Sequence, residues 1–237
     1  MENSGYVTLT RQTGLMREME IIAHNIANSA TTGYRQQGLV FSEYVKAVDG
    51  GESLSMAAAR IKKTSSAQGV LTQTGNTLDL AIEGLGYFQL ETPDGIRLTR
   101  SGAFNVDATG DIVTTDGHRV LDGGGAPINV PAGETNVEVA ADGTVSLGER
   151  LLGQIGVVLP ENGSNLTREA GVLFKTDAAL EVSPDATVLQ GHLEGSNVDA
   201  ISQLTRMIEV QRAYEIGQKL LDMDHEQSRT ALQTLIK

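Results

Sequence analysis

The sequence predicts an α+β fold: N- and C-terminal long helices paired as a coiled-coil-like stalk, with a middle antiparallel all-β domain. Three observations predict it. An apolar seam at steps of three and four runs through Val198–Leu235, a second runs through residues 4–30, and the chain between them alternates in short segments broken by Asp-Gly and Asn-Gly turns. The expected division is a first stalk helix over 1–33, an extended connecting arm over 34–68, a β-rich domain over 69–190 and a last stalk helix over 191–237.

In the first helix, Leu9, Gln12, Met16, Met19, Ala23, Ile26 and Ala30 fall at three-four spacing, and Leu15 and Ile22 widen the stripe. Thr31-Thr32-Gly33 stops it, with Gly33 as the expected C-terminal breaker. The arm carries Phe41 and Tyr44 as anchors and a turn signal at Asp49-Gly50-Gly51. Ala57–Lys63 fits either strand or helix. Its Arg60, Lys62 and Lys63 make the one basic patch, read either as a solvated face or as a surface meeting the acidic middle of a neighbouring copy.

The middle alternates apolar with polar or small residues at Leu78–Ile82, Tyr87–Leu90, Ile128–Val139 and Gln154–Leu159. Turn signals recur at Pro93-Asp94-Gly95, Asp107 to Gly110, Asp116-Gly117, Asp122 to Gly125, Asp142-Gly143 and Asn162-Gly163. Short strands with such turns make hairpins, hence an antiparallel sandwich or irregular barrel. Ala141–Arg150 reads as a hairpin tip.

The last helix has its seam at Ala200, Leu204, Met207, Gln211, Tyr214, Gln218, Leu221, His225, Ser228, Leu232 and Leu235. Val198, Ile201 and Ile208 widen it, whereas Ile216, Leu220 and Met223 lie away from it. Apolar residues on several faces imply several neighbours. Ser196 followed by Asp199 supplies a capping-box-like start. At ~1.5 Å per residue the rod is roughly 57 Å long.

Composition narrows the function. The 237 residues are 40% hydrophobic, with a mean hydropathy of −0.14. No apolar run approaches the ~20 residues of a membrane span, so no membrane insertion is expected. Met1–Tyr6 has neither a basic nor an apolar signal region, so no cleaved secretion signal is expected. The chain has no cysteine, which excludes disulfides, thiolate metal sites and cysteine nucleophiles. Of the net charge of −12, residues 69–190 carry −11, and residues 31–68 are net +2. That acidic middle repels phosphates and argues against nucleic acid. The near-neutral ends can pack on copies of themselves.

Sites for chemistry are missing. Glu83-Gly84-Leu85-Gly86-Tyr87 lacks the third Gly, the Lys and the Ser/Thr of the nucleotide fingerprints. His24, His118, His192 and His225 fall in four segments without metal-ligand spacing. Asp107-Ala108-Thr109-Gly110-Asp111 lacks the other ligands of a calcium loop and reads as a turn. No serine has a His/Asp set. No catalytic, cofactor-binding or metal residue is nominated, no cofactor is expected, and the chain does not read as an enzyme.

Five segments in order carry a resemblance. Ala23-His24-Asn25-Ile26-Ala27-Asn28 through Thr31-Thr32-Gly33-Tyr34-Arg35, Leu78-Asp79-Leu80-Ala81-Ile82-Glu83-Gly84 through Phe88, Leu98-Thr99-Arg100-Ser101-Gly102-Ala103-Phe104 with Asp116–Leu121, Gly191–Val198, and Ile208–Glu215 resemble the signatures of the bacterial flagellar rod and hook family. His24 stands where the family usually has Asn. Within the family the chain resembles the basal-body rod proteins, proximal more than distal. The resemblance implies a structural subunit of a helical tube, the periplasmic drive shaft, with terminal helices inside and β domain outside. It implies partners in copies of itself, in neighbouring flagellar rod proteins and in a type III export apparatus that passes it uncleaved. The assembly interface is then expected at Leu9, Met16, Met19, Ile22, Ile26, Asn25, Asn28, Leu204, Met207, Gln211, Tyr214, Leu221, Leu232 and Leu235. Gln211, Gln218 and Ser228 would set register. A secreted β-rich adhesin and a cell-wall binding or hydrolysing module stand as alternatives.

Overall fold

The computed structural model describes residues 2–46, 54–131, 137–161, 166–169 and 171–235, with side chains described in these ranges except at 2–7, 41–46, 54–62, 224, 228 and 231–235. The turn signals at 49–51 and 162–163 lie outside the described residues, as do the side chains of Phe41, Tyr44, Arg60, Lys62, Ser228, Leu232 and Leu235. The chain divides into two compact units. One comprises Met1–Ser29, Gln36–Ser65 and Val198–Lys237, the other Ala30–Arg35 and Ser66–Asn197.

The first unit holds α1 (Glu2–Ala27), β1 (Gln37–Lys46), β2 (Leu54–Thr64) and α2 (Ala200–Leu235). β1 and β2 form an antiparallel ribbon from Gln37↔Thr64 to Lys46↔Leu54, with a bulge at Val40/Phe41. Ala57–Lys63 is therefore strand, settled by its pairing with β1. A two-stranded ribbon alone is marginal in water; this one lies along α1. Asn25 of α1 pins its first residue: the Asn25 amide donates to the Gln37 carbonyl at 2.8 Å, and the Gln37 N–H donates to Asn25 Oδ1 at 3.0 Å. α2 starts at an Asp199 cap, whose carboxylate accepts the Ile201 N–H and the Ser202 hydroxyl. Asp199 thus caps the first turn of α2 with its own carboxylate.

The α+β coiled-coil-like stalk is overturned. Strand dominates the described residues, in five separate sheets, against one helix near each end. The heptad seam is not a packed seam: Leu204 is 56% exposed, and Leu9 and Met16 stand out into solvent as well. The sheltered row on α2 is Met207, Val210, Tyr214, Gly217 and Leu221, and Val210 is its one fully buried side chain. Val210 is shifted by one residue from the expected Gln211, which is exposed, whereas the expected Gln218 is half-buried like Gly217 beside it. The reason is that α2 carries apolar residues at helical spacing on more than one face, so periodicity cannot say which face is covered. α1 meets α2 where Gln12 donates to the Tyr214 carbonyl at 2.9 Å and Arg206 pairs with Glu18 at 2.7 Å. Gly217 has a packing reason: a Cβ there would collide with the Gln12 amide.

The second unit runs β3 (Leu71–Gln73), β4 (Leu80–Glu83), β5 (Tyr87–Thr92), β6 (Gly95–Thr99), β7 (Phe104–Val106), β8 (Ile112–Thr114), β9 (Arg119–Val120), β10 (Val137–Val139), β11 (Thr144–Leu147), β12 (Arg150–Gln154), β13 (Val157–Pro160), β14 (Thr167–Arg168), β15 (Leu173–Lys175), β16 (Leu180–Val182), β17 (Thr187–Gln190) and β18 (His192–Glu194). The largest sheet has the order β14-β15-β6-β5-β9-β8-β7, with β13 joining β5 to β16. β10-β11-β12 form a second sheet, and β17-β4 and β18-β3 pair separately. Ala141–Arg150 is more than a hairpin tip, since it contains β11. Alternation buries one face of these strands in a shared core of Leu80, Ile82, Phe88, Leu90, Phe104 and Val145 among others.

One charged node ties three passes of the chain inside this unit. Glu194 is buried between Arg35 at 2.7 Å and Arg100 at 3.2 Å, and accepts the Gly69 N–H at 3.0 Å. The Glu194 carbonyl accepts the Gly33 N–H at 2.7 Å. Arg35 also donates to the Ser66 and Ala67 carbonyls, and Arg100 to those of Ile82 and Gly84. Burial pulls Arg100 below the usual guanidinium range, while Glu194 pulls it back up. Arg168 stacks between the rings of Tyr34 and Phe174, with centroids at 4.3 and 4.7 Å. Gly33, at φ 69°, sits so close to the Ser101 backbone that no side chain fits. It serves this approach rather than the end of α1, which stops at Ala27.

Candidate assembly interface

Position around α2 follows from 3.6 residues per turn. Ile201, Leu204 and Ile208 form one exposed apolar flank, and Ile216, Leu220 and Met223 form another. Each stands roughly 130° from the sheltered row, and the two are roughly 95° apart. Ile201 is 79% and Ile216 68% exposed. α1 adds Leu9 and Met16, seven residues apart and hence on one face. The second flank opens onto a groove of about 220 Å³ lined by Leu15, Ala213, Ile216, Gly217 and Leu220, with Thr8, Arg11 and Gln12 at its sides. Large apolar side chains left in water on three helix faces mark surfaces that associate.

Of the residues the sequence nominated, Leu9, Met16, Leu204 and Gln211 are exposed, and Met19, Ile26, Asn28, Met207, Tyr214 and Leu221 are half-buried. Ile22 and Asn25 are buried, so they build the first unit itself. Asn25 also donates to Gln203 at 3.0 Å. Asn28 returns its side-chain amide to the His24 carbonyl at 2.8 Å, and its own N–H reaches the same acceptor at 3.2 Å at the end of α1. Leu232 and Leu235 lie in α2, their side chains outside the described ones. Sequence reading passed over Gly217 and Val210, and over the node of Arg35, Arg100 and Glu194. All three node residues lie in segments that carry the family resemblance, but nothing in those segments says that they meet.

Among the described residues no group of three His, Asp or Glu gathers as a metal site, and no helix is long and apolar enough to cross a membrane.

Comparison with known proteins gives a consistent answer. Residues 81–147 match the flagellar hook protein FlgE/F/G D1 domain, and residues 189–234 match the flagellar basal body rod FlgEFG protein C-terminal domain. The chain is 38% identical to the flagellar basal-body rod protein FlgF of Caulobacter vibrioides over 100% of this chain and 99% of that one. It is 36% identical to FlgF of Mesorhizobium japonicum over 99% and 98% of the two chains. To the basal-body rod protein FlgG of Bacillus subtilis it is 33% identical over 95% and 96%.

Proposed function

Because the chain belongs to the flagellar basal-body rod protein family, as a FlgF-type structural subunit of the rod, we propose that it joins the shaft through the outer faces of its two helices. The carrying observation is that α2 shelters one row and leaves two apolar flanks in water. Covering those flanks with other rod subunits removes apolar area from water at about 25 cal/mol per Å². Assembly therefore adds to the stability that the two helices have in the free chain.

The interface residues are Leu9 and Met16 on α1, and Ile201, Leu204, Ile208, Ile216, Leu220 and Met223 on α2. The neighbours are copies of the chain and other rod proteins at a proximal position, reached through the type III export apparatus. The chain does no chemistry of its own; its relatives carry the names of basal-body rod proteins. Purified chain incubated with peptidoglycan is expected to release no soluble fragments.

Leu204→Asp tests the interface. It puts a charge on an exposed position, so the circular dichroism and melting of the free chain should stay as in wild type. Incorporation into basal bodies and swimming should be lost. A variant that assembles and swims normally removes this flank from the interface.

A further inference from the structure

In the second unit the turn Gly84–Gly86 lies beside the segment Glu181–Ala186. The Ser183 hydroxyl donates to the Leu85 carbonyl at 2.7 Å, and Glu83 pairs with Thr187. A Cβ on Gly84 would stand 3.2 Å from the Asp185 carbonyl oxygen. On this fixed pair of turns Leu85 is 60% and Val182 68% exposed. Glu83, Glu181 and Asp185 are exposed around them. The result is an apolar knob with an acidic rim.

The first unit holds a shape and charge to match. At the open end of the β1–β2 ribbon lies a groove of about 360 Å³ lined by Gln36, Gly38, Leu39, Val40, Lys63 and Ser65. Lys63 is exposed and closes the basic segment Arg60-Ile61-Lys62-Lys63.

We propose that the knob of one copy seats in the ribbon groove of the next, with Leu85 and Val182 against Leu39 and Val40 and Lys63 facing the carboxylates. This rests on the reading of the chain as a self-assembling rod subunit. Charge selects the occupant. A chain of net −12 repels its own copies, and such a surface approaches another copy most readily where that copy is positive; the ribbon segment, residues 36–65, carries four basic groups against three acidic ones. Knob and groove are different surfaces, so the contact is heterologous: each copy keeps one of each to offer, and growth does not close on a dimer.

The lack of cysteine makes the test clean. Chains carrying Lys63→Cys and Asp185→Cys, oxidised in isolated basal bodies, should run as a ladder of dimers and higher multiples on non-reducing gels. Lys63→Cys with Asp94→Cys, at the far end of β5, should give none. Incorporated chains that yield no ladder, or only a disulfide within one chain, overturn the docking and leave self-assembly standing. Charge reversal reads it a second way. Lys63→Glu should lower incorporation roughly tenfold, and adding Asp185→Lys should restore most of it. A reversed pair no better than the single change also overturns the docking. Absence of any self-neighbour on amine crosslinking of wild-type basal bodies refutes the self-assembly reading, and the docking with it.

Discussion

Replacing Glu194 by Gln separates the charge at the buried node from its shape. The amide fits the same space and can still accept the Gly69 N–H. It no longer neutralises Arg35 at 2.7 Å or Arg100 at 3.2 Å, and both guanidinium groups are almost wholly out of water. Removing one partner of a buried ion pair costs about 3–5 kcal/mol, because the remaining charge has nowhere to go. The retained hydrogen bonds place Glu194→Gln at the lower end, about 3 kcal/mol. For a unit of this size that lowers the melting temperature by roughly 10 °C.

The assay is thermal unfolding of the full chain, joined to amide exchange read separately over β4, β17 and α2. The loss should appear in the strands, where opening becomes roughly a hundredfold more frequent. Arg35→Met should cost less than Glu194→Gln, since Arg100 keeps its carboxylate. The double variant should cost less than the sum of the two, as groups in one network couple. A melting shift below about 2 °C for Glu194→Gln, or an additive double variant, would refute the claim that this carboxylate holds the passes together.

Asn25→Ala removes both links to Gln37 and the link to Gln203, so it should cost about 1–3 kcal/mol and speed exchange of the Gln37 amide, measured by NMR. Val210→Asp buries a charge with no counter-charge and should unfold the helical unit in circular dichroism, unlike Leu204→Asp at an exposed position. Asp199 sits below the usual carboxylate range, mainly through the Ser202 hydroxyl and then the Ile201 N–H. Its cap therefore stabilises the start of α2 above the ordinary Asp pKa, and that contribution fades as pH falls through the depressed value. Asp199→Ala should abolish this acid limb in a helicity titration.

Local features were legible and distant ones were not. Asp94-Gly95 closes β5 onto β6 at Thr92↔Gly95, and Asp142-Gly143 joins β10 to β11, as their turn chemistry dictates. β11 itself was absorbed into an expected hairpin tip, because four residues between two turns give too short an alternation. The extents of the two helices were readable from periodicity, but not which row is sheltered: Val210 and Gln211 both fit a three-four pattern, and only the position of Gln12 beside Gly217 decides. That Arg35, Arg100 and Glu194 meet was not legible, because they lie in three separate stretches that carry the family resemblance but no sign of contact. Gly33 was read as a helix stop for the same reason, its true neighbour being Ser101.

The stitching of Ala30–Arg35 into the strand unit sets the order in which the chain can mature. Arg35 waits for a carboxylate from Glu194, and Gly33 waits for the same residue's carbonyl, so closure spans about 160 of the 237 residues. A loop of that length forms late and slowly. A chain emerging from its N-terminus first would carry this stretch uncommitted until β18 arrived, and only then could the unit lock.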